Sequence, residues 1–204
     1  MQLLACLNHL SNQGIDLTSV CLVGDSAGAN LILQLFSHAL HPIAGIPLVP
    51  KDTQFNSVAL ISPWVDLNGR SFTSNLDHAS RDVLSASTLK AFGQAFVTGV
   101  SQEHIAHIDM AEETPVGWFD GIEAFTPRLL ISAGTGETLL SAIDQFHSRH
   151  FMCPIPGLEV EFRHDIGGTH DDLFQNFGPF SHNPTGALTY RLLDWIQECI
   201  TTVE

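Results

Sequence analysis

The sequence predicts an α/β fold in which a mostly parallel sheet is flanked by helices. Short apolar runs alternate along the chain with segments of helical periodicity, and most of these runs lack a polar face, as in strands buried on both sides. Strands that alternate with helices form parallel sheets covered on both faces. No linker composition or internal repeat divides the 204 residues, so we expect a single domain over residues 1–204.

Each element is predicted from its own local pattern. Four segments have the pattern of buried strands, and the last of them alternates like an edge strand: 19–23, 58–61, 128–132 and 158–162. Five segments have apolar residues at helical spacing: 3–10, 29–40, 85–97, 139–150 and 187–200. Residues 68–126 contain one clear helix and no strand, which predicts a cap-like excursion over a pocket, with Phe92, Phe96 and Trp118 in its roof.

Composition and charge exclude several classes of partner. Acidic residues outnumber basic residues by 22 to 8, which gives a formal net charge of -14. Such a charge repels phosphate backbones and anionic lipid headgroups, so nucleic acid is a poor partner. No apolar run approaches the roughly 18 residues that span a bilayer, and the first ten residues lack the basic start of a signal peptide. These features favour a cytoplasmic location, with the true N-terminus left open.

A Gly-x-Ser-x-Gly motif, formed by Gly24, Asp25, Ser26, Ala27 and Gly28, lies between a buried strand and a buried helix. That context is typical of a nucleophile elbow, a strained turn that exposes a serine hydroxyl. The glycines two residues before and after the serine remove side chains that would collide in the turn. The helix that follows directs free N–H groups at a developing oxyanion, with Ala27 as the first donor. We therefore predict Ser26 as a nucleophile; an ordinary glycine-rich turn is the alternative.

A serine nucleophile requires a histidine base that is oriented by a carboxylate. Two glycine-rich turns follow the third and fourth predicted strands, and they end at Glu137 and His170 respectively. Open α/β sheets build their sites at the carboxyl ends of parallel strands, so we predict Glu137 as the acid and His170 as the base. Asp144 on the next helix remains an alternative acid, and His164 remains an alternative base.

A metal site is the other chemistry that the sequence raises. Hard and borderline ligand types cluster in one segment, and an HxxH pair lies elsewhere: His164, Asp165, His170, Asp171 and Asp172, with His104 and His107. Neither group has a ligand spacing tied to a defined element, and acids beside histidine are typical of a solvated loop. The four cysteines, at 6, 21, 153 and 199, contain no CxxC pair. The sequence therefore predicts neither a metal nor a disulfide framework.

Three motifs resemble the hormone-sensitive-lipase group of α/β-hydrolases, and its fungal esterase-like members in particular. The segment 24–30 resembles the GDSAGxN elbow, 61–67 resembles the SPW segment, and 133–139 resembles the region of the acid. The chain order Ser26, Glu137, His170 is also that of α/β-hydrolases. The resemblance implies hydrolysis of carboxylic esters through an acyl-enzyme, on small-molecule acyl esters and without a cofactor. In this group the residue at Thr138 is usually proline, and the residue at Ser141 is commonly a second aspartate.

The sequence also lacks two features that members of this group have. Members of the group carry a His-Gly-Gly-Gly-type loop upstream of the serine, which supplies oxyanion donors, and this sequence has none. They also place several strands before the elbow, whereas this sequence begins at the preceding helix. We therefore expect the C-terminal portion of an α/β-hydrolase fold, truncated at its N-terminus, with an exposed first strand. An inactive hydrolase, or a non-catalytic small-molecule-binding member of the same fold, remains the alternative function.

Overall fold

A computed structural model describes residues 2–72, 82–172 and 187–201 of the chain. Strands and helices alternate through these ranges, with three short 3₁₀ helices at Leu17–Ser19, Gln102–His107 and Ile122–Ala124. The strands and α-helices are, in chain order, α1 (Gln2–Asn12), β1 (Cys21–Asp25), α2 (Ser26–Leu40), β2 (Ser57–Ile61), α3 (Ala86–Val97), β3 (Arg128–Gly134), α4 (Leu140–His150), β4 (Glu159–Asp165) and α5 (Ala187–Thr201).

The four described strands form one parallel sheet in the order β1-β2-β3-β4. The register aligns Asp25 with Ile61 across the first pair and Gly134 with Asp165 across the last. Because all strands run the same way, their carboxyl ends share one edge of the sheet. The predicted α/β class is confirmed, and this shared edge brings the turns after β1, β3 and β4 close together.

Both faces of the inner strand β2 are buried, as its apolar run predicts. Val58 and Leu60 belong to a large core that also contains apolar side chains of α1, α2 and α4. The alternate residues Ala59 and Ile61 pack with Trp195 and its neighbours on α5, on the opposite face. Successive side chains of a strand point to opposite faces, so β2, which is buried along its whole length, joins the two cores.

Several strand boundaries differ from the prediction by one to three residues, and two of these differences have an identifiable cause. The run predicted at 19–23 begins later, at Cys21, because Leu17–Ser19 forms a 3₁₀ turn in which the Asp16 side chain accepts from the Thr18 N–H. The strand predicted to end at residue 132 continues to Gly134, because β4 pairs with it along its full length. Long-range pairing of this kind is not encoded in local propensity.

β1 and β4 are the outer strands of the described sheet. Val23 of β1 is 45% exposed. β4 carries charged residues along its length, including Glu159, Glu161 and Arg163, which is a common protection for an outer strand. Within the described ranges, no helix combines the length and apolarity that crossing a bilayer requires.

Candidate active site

The predicted elbow is a sharp turn between β1 and α2. Ser26 is the first residue of α2 and follows β1 without a loop. Its φ is 48°, in the left-handed region that non-glycine residues seldom adopt and that often marks functional sites. The Ser26 carbonyl accepts a hydrogen bond from the Trp64 N–H at 3.1 Å. The backbone after β2 therefore helps to hold the strained residue in place.

Gly24 is the glycine of the elbow that has no room for a side chain. A Cβ at Gly24 would lie 2.7 Å from the carbonyl carbon and oxygen of Gly28 and 2.8 Å from the Ala29 nitrogen. These neighbours are backbone atoms that cannot rotate away. The structure differs from the prediction at Gly28, where a Cβ would meet only Asp25 Oδ1, at 3.7 Å. Gly28 contributes the backbone that Gly24 approaches, and it has room for a methyl group itself.

Ser26, His170 and Glu137 form a continuous hydrogen-bonded chain. The Ser26 Oγ lies 2.8 Å from His170 Nε2, and His170 Nδ1 lies 3.1 Å from Glu137 Oε2. The second Glu137 oxygen accepts from the Gly134 N–H at 3.0 Å. Side-chain exposure is 3% for His170 and 0% for Glu137. With Nδ1–H donated to the carboxylate, Nε2 can accept the serine proton, as a general base must.

Backbone contacts between two glycine-rich turns bring the acid and the histidine together. The Gly136 N–H donates to the Gly168 carbonyl at 2.8 Å, and a Cβ at Gly134 would lie only 2.4 Å from that oxygen. Gly167 has a φ of 81°, which suits glycine. The turns after β3 and β4 therefore pack backbone against backbone, and a side chain at Gly134 would force them apart.

The alternative acid and the alternative base pair with each other, away from Ser26. Asp144 Oδ1 lies 2.8 Å from His164 Nε2, and the two side chains are 45% and 38% exposed. His164 belongs to β4 and Asp144 to α4, so their meeting follows from the packing of that helix against the sheet. This geometry leaves Glu137 and His170 as the acid and histidine that the structure brings to Ser26.

Charge around His170 favours its protonated form. Burial by itself would lower the pKa of His170, but the hydrogen bond to Glu137 and the charges of Asp171, Glu137 and Asp82 raise it above the usual value. Asp171 Oδ2 lies 3.2 Å from His170 Nε2, on the nitrogen that also faces Ser26. Burial raises the pKa of Asp171 to about 6, and the carboxylates of Asp25, Glu137 and Asp82 contribute to that shift.

Asp171 is a site residue that sequence reasoning placed only within a possible metal cluster. Its φ is 54°, so its backbone is strained like that of Ser26. Its Oδ1 atom is buried without a hydrogen-bond partner among the described residues. No sequence pattern marks the residue, because its position depends on how the turn after β4 folds back over the elbow.

Asp82 is a second residue that sequence reasoning missed. Its Oδ1 accepts from the His170 N–H at 3.0 Å, and its Oδ2 accepts from the Thr138 N–H at 2.6 Å. The Thr138 hydroxyl donates to the Leu84 carbonyl at 2.9 Å. Residues 82–84 thus hold the turns of both the acid and the histidine. The only sequence signal was Thr138 itself, which stands where proline is usual in the group that the motifs resemble.

A cavity of about 230 Å³ adjoins the elbow. Its lining is mostly apolar and comprises Ala27, Asn30, Leu31, Gln34, Trp64, Leu67 and Phe96. Phe96, on α3, is the member of the predicted roof that reaches this cavity. Trp118 lies elsewhere, stacked on His41 with ring centroids 3.8 Å apart and donating its indole N–H to Ser37. Trp118 does not line this cavity, because its indole pairs with α2.

The buried Asn30 side chain fixes the wall of this cavity. Its Nδ2 donates to the Trp64 carbonyl at 2.7 Å and to the Ile108 carbonyl at 2.8 Å. The side-chain oxygen of Asn30, Oδ1, accepts from Gln34 Nε2 at 2.6 Å. Buried amides retain their place when their donors and acceptors are satisfied. The last residue of the elbow motif therefore ties α2 to the segments after β2 and after Gln102–His107.

A larger cavity, of about 350 Å³, lies along the same helix. Leu31 and Gln34 line both cavities, so the two adjoin across α2. Leu4 of α1 and Ile108 contribute further apolar wall to the larger cavity, and His107 lies at its edge.

The histidines of the predicted HxxH pair are not arranged as metal ligands. His107 Nδ1 lies 2.8 Å from the Ser37 hydroxyl. Burial, and to a smaller extent the charges of nearby histidines, lower the pKa of His107 to about 4. The ring of His104 lies 6.3 Å from that of His107. Across the described ranges, no group of three or more His, Cys, Asp or Glu side chains is positioned to hold a metal ion.

Comparison with known proteins agrees with this architecture. A family model described as alpha/beta hydrolase fold matches residues 2–171. A putative steryl acetyl hydrolase, mug81, of Schizosaccharomyces pombe is 36% identical over 80 residues, which are 39% of this chain and 20% of that protein. The motifs predicted a resemblance to hormone-sensitive-lipase-like α/β-hydrolases with fungal members. This prediction is confirmed by the family match, by the fungal relative and by a solved esterase structure of the bacterial hormone-sensitive lipase family.

Solved structures of the same type superpose over nearly the whole chain. An esterase from the bacterial hormone-sensitive lipase family has a TM-score of 0.67 at 19% identity, covering 96% of this chain and 58% of that one. A hormone-sensitive lipase from a metagenome library has a TM-score of 0.66 at 23% identity, covering 94% and 57% respectively. At such identities the likeness shows the fold. The chain spans about 58% of the length of the first of these relatives.

Proposed function

The chain belongs to the α/β-hydrolase fold family, and on that premise we propose that it is a serine hydrolase of carboxylic esters, with Ser26, His170 and Glu137 as nucleophile, base and acid. The observation that carries the proposal is the unbroken chain from Ser26 Oγ through His170 to Glu137, with contacts of 2.8 Å and 3.1 Å. A nucleophile, a base and an orienting group within hydrogen-bond reach are the geometric signature of covalent catalysis.

The mechanism follows from these contacts. His170 Nε2 takes the hydroxyl proton as Ser26 Oγ forms a bond to the ester carbonyl carbon, and Glu137 holds the ring with its proton on Nδ1. When the tetrahedral adduct collapses, the bond to the alcohol oxygen breaks and the alcohol leaves with the proton from His170. Water, deprotonated by the same histidine, then attacks the acyl-enzyme. The acid is released and the Ser26 hydroxyl is restored.

The oxyanion donor that we assign within this chain is the Ala27 N–H. Ala27 is the second residue of α2, where backbone N–H groups have no partner within the helix and the helix dipole favours negative charge. Each oxyanion donor is worth roughly 10²–10³ in turnover.

The cavities beside the elbow suggest an uncharged ester as the substrate. A cavity of about 150 Å³ is enough to bind benzene, so the space of about 230 Å³ next to Ala27 accommodates a short or medium acyl group. The adjoining larger cavity offers apolar surface to a bulky alcohol. The name of the fungal relative, a putative steryl acetyl hydrolase, makes a steryl acetate the first natural ester to test beside p-nitrophenyl acetate.

The experiment that tests this proposal is covalent labelling by a fluorophosphonate probe, read by intact mass. We expect a single adduct on the parent chain and no adduct on Ser26→Ala. Ser62→Ala is a matched control because Ser62 also follows a strand directly and has a φ of 44°. Ser62→Ala should label like the parent. Labelling that survives in Ser26→Ala would contradict the proposed nucleophile.

A second candidate function is a non-catalytic small-molecule-binding member of the fold. It is favoured by the apolar cavities of about 230 Å³ and 350 Å³ near the elbow, which could hold an uncharged ligand without any reaction. Under this alternative, the folded parent would form no adduct but would still bind an uncharged ester without releasing alcohol. Calorimetric titration with a slowly hydrolysed ester distinguishes the two functions.

A further inference from the structure

We propose that Asp82 is a positioning residue, whose carboxylate joins the turn of Glu137 to the turn of His170 and so sets the distance between acid and base. The inference rests on the proposed function, in which those two residues act together. Asp82 belongs to the segment between β2 and α3, outside both turns, so it acts as an external clamp on them.

The clamp uses one carboxylate oxygen for each turn. Oδ1 accepts from the backbone N–H of His170 at 3.0 Å, and Oδ2 accepts from the backbone N–H of Thr138, next to Glu137, at 2.6 Å. Hydrogen bonds to an ionised carboxylate are about twice as strong as those between neutral groups. Each N–H would otherwise have to find another acceptor in a partly buried site.

The clamp matters because the hydrogen bond between His170 and Glu137 is already long. The distance of 3.1 Å from His170 Nδ1 to Glu137 Oε2 is near the upper end of the range for N–H···O hydrogen bonds. A slip of a few tenths of an ångström between the turns would therefore weaken the bond. The Gly136 to Gly168 contact holds the turns on their glycine side, whereas Asp82 holds the residues that flank the functional side chains.

Thr138 makes the clamp possible because it has a backbone N–H. Proline, the usual residue here in the group that the motifs resemble, has no N–H to donate. The Thr138 hydroxyl adds a bond to the Leu84 carbonyl at 2.9 Å, which fixes the same short segment. The pair Asp82 and Thr138 is thus a feature of this chain that a proline at residue 138 would remove.

The test compares Asp82→Asn with a matched control, Asp66→Asn. Asp66 also accepts two backbone N–H groups, those of Gly69 and Ser71, both at 2.7 Å. Steady-state hydrolysis of p-nitrophenyl acetate, with Tm measured in parallel, separates positioning from folding. We expect Asp82→Asn to lower kcat about 10- to 100-fold with KM within about twofold. Asp66→Asn should lower Tm without a comparable loss of kcat.

A second variant, Thr138→Pro, removes the N–H and leaves Asp82 intact. If the clamp acts through that N–H, the loss of kcat in the double variant Asp82→Asn, Thr138→Pro will be smaller than the product of the two single losses. Independent, multiplicative losses would overturn the inference. Equal effects of Asp82→Asn and Asp66→Asn on kcat, in proportion to Tm, would also overturn it.

A readout that needs no turnover separates this inference from the proposed function. In a ¹⁵N-histidine NMR titration, loss of the Asp82 charge should lower the pKa of His170, and Asp66→Asn should leave it unchanged. If the parent hydrolyses no ester, the proposed function fails, yet this shift still reports the contact between Asp82 and the His170 turn. An unchanged His170 titration in Asp82→Asn would overturn the clamp irrespective of activity.

Discussion

Replacing Glu137 by glutamine provides a sharp test of how the buried carboxylate acts. One Glu137 oxygen accepts from the Gly134 N–H at 3.0 Å and the other faces His170 Nδ1 at 3.1 Å. A glutamine that keeps its oxygen on Gly134 must present its NH₂ to Nδ1. The ring then carries its proton on Nε2, where it can no longer accept the proton of Ser26.

The magnitude follows from this change of tautomer. In a serine protease, the equivalent acid-to-amide replacement lowers kcat by about 10⁴-fold, or about 5.5 kcal/mol of transition-state stabilisation. The Glu137 side chain has 0% exposure, so water cannot replace the lost acceptor. We expect a kcat about 10⁴-fold below that of the parent, with KM changed little because the side chain does not line either cavity.

The assay is steady-state release of p-nitrophenolate, with circular dichroism and Tm to show that the variant is folded. Asp144→Asn is the matched control, because Asp144 pairs with His164 on the surface at 2.8 Å. It should retain kcat within about twofold, since exposed pairs contribute at most about 1 kcal/mol. A folded Glu137→Gln variant with kcat within tenfold of the parent would refute the reasoning. If Asp144→Asn lost activity and Glu137→Gln did not, Asp144 would be the acid that orients His170.

Three further predictions concern the elbow and its surroundings. Gly24→Ala should lower the free energy of unfolding, measured in urea, by about 3 kcal/mol because the added methyl group would overlap backbone atoms. Gly28→Ala should change the same quantity by less than about 1 kcal/mol. Equal effects of the two substitutions would contradict the geometry of the elbow. Asp171→Asn removes a charge that favours protonated His170, so the acid limb of the pH profile of kcat/KM should move to lower pH; a move to higher pH would refute this. Asn30→Leu leaves two buried carbonyl groups without donors and should cost about 2–4 kcal/mol in thermal unfolding; an unchanged Tm would show that water replaces the amide.

Local sequence patterns were sufficient for the class of fold and for the elbow. The apolar runs around Val58 and Leu129 predict buried strands because a strand covered on both faces needs no polar alternation. Gly24 was predictable because a turn that brings two backbones to within contact distance excludes a side chain. The chain order of Ser26, Glu137 and His170, which we propose as nucleophile, acid and base, could likewise be read without coordinates.

Choosing among acids and among histidines required the sheet register. Glu137 and Asp144 are seven residues apart, and both follow β3, so sequence alone left either as a candidate. The register of β3 with β4, from Arg128 opposite Glu159 to Gly134 opposite Asp165, brings the two glycine-rich turns together at the sheet edge. The same packing leaves Asp144 beside His164.

The sequence by itself determined the elements, their order and the strained serine turn, because these depend on periodicity, glycine and short-range sterics. Only the tertiary structure decided which carboxylates surround His170. Asp82 lies 88 residues before His170 along the chain, and Asp171 reaches the ring through a backbone at positive φ. Contacts of that kind arise when separate turns fold onto one edge of a sheet, and no local pattern encodes the distance between them.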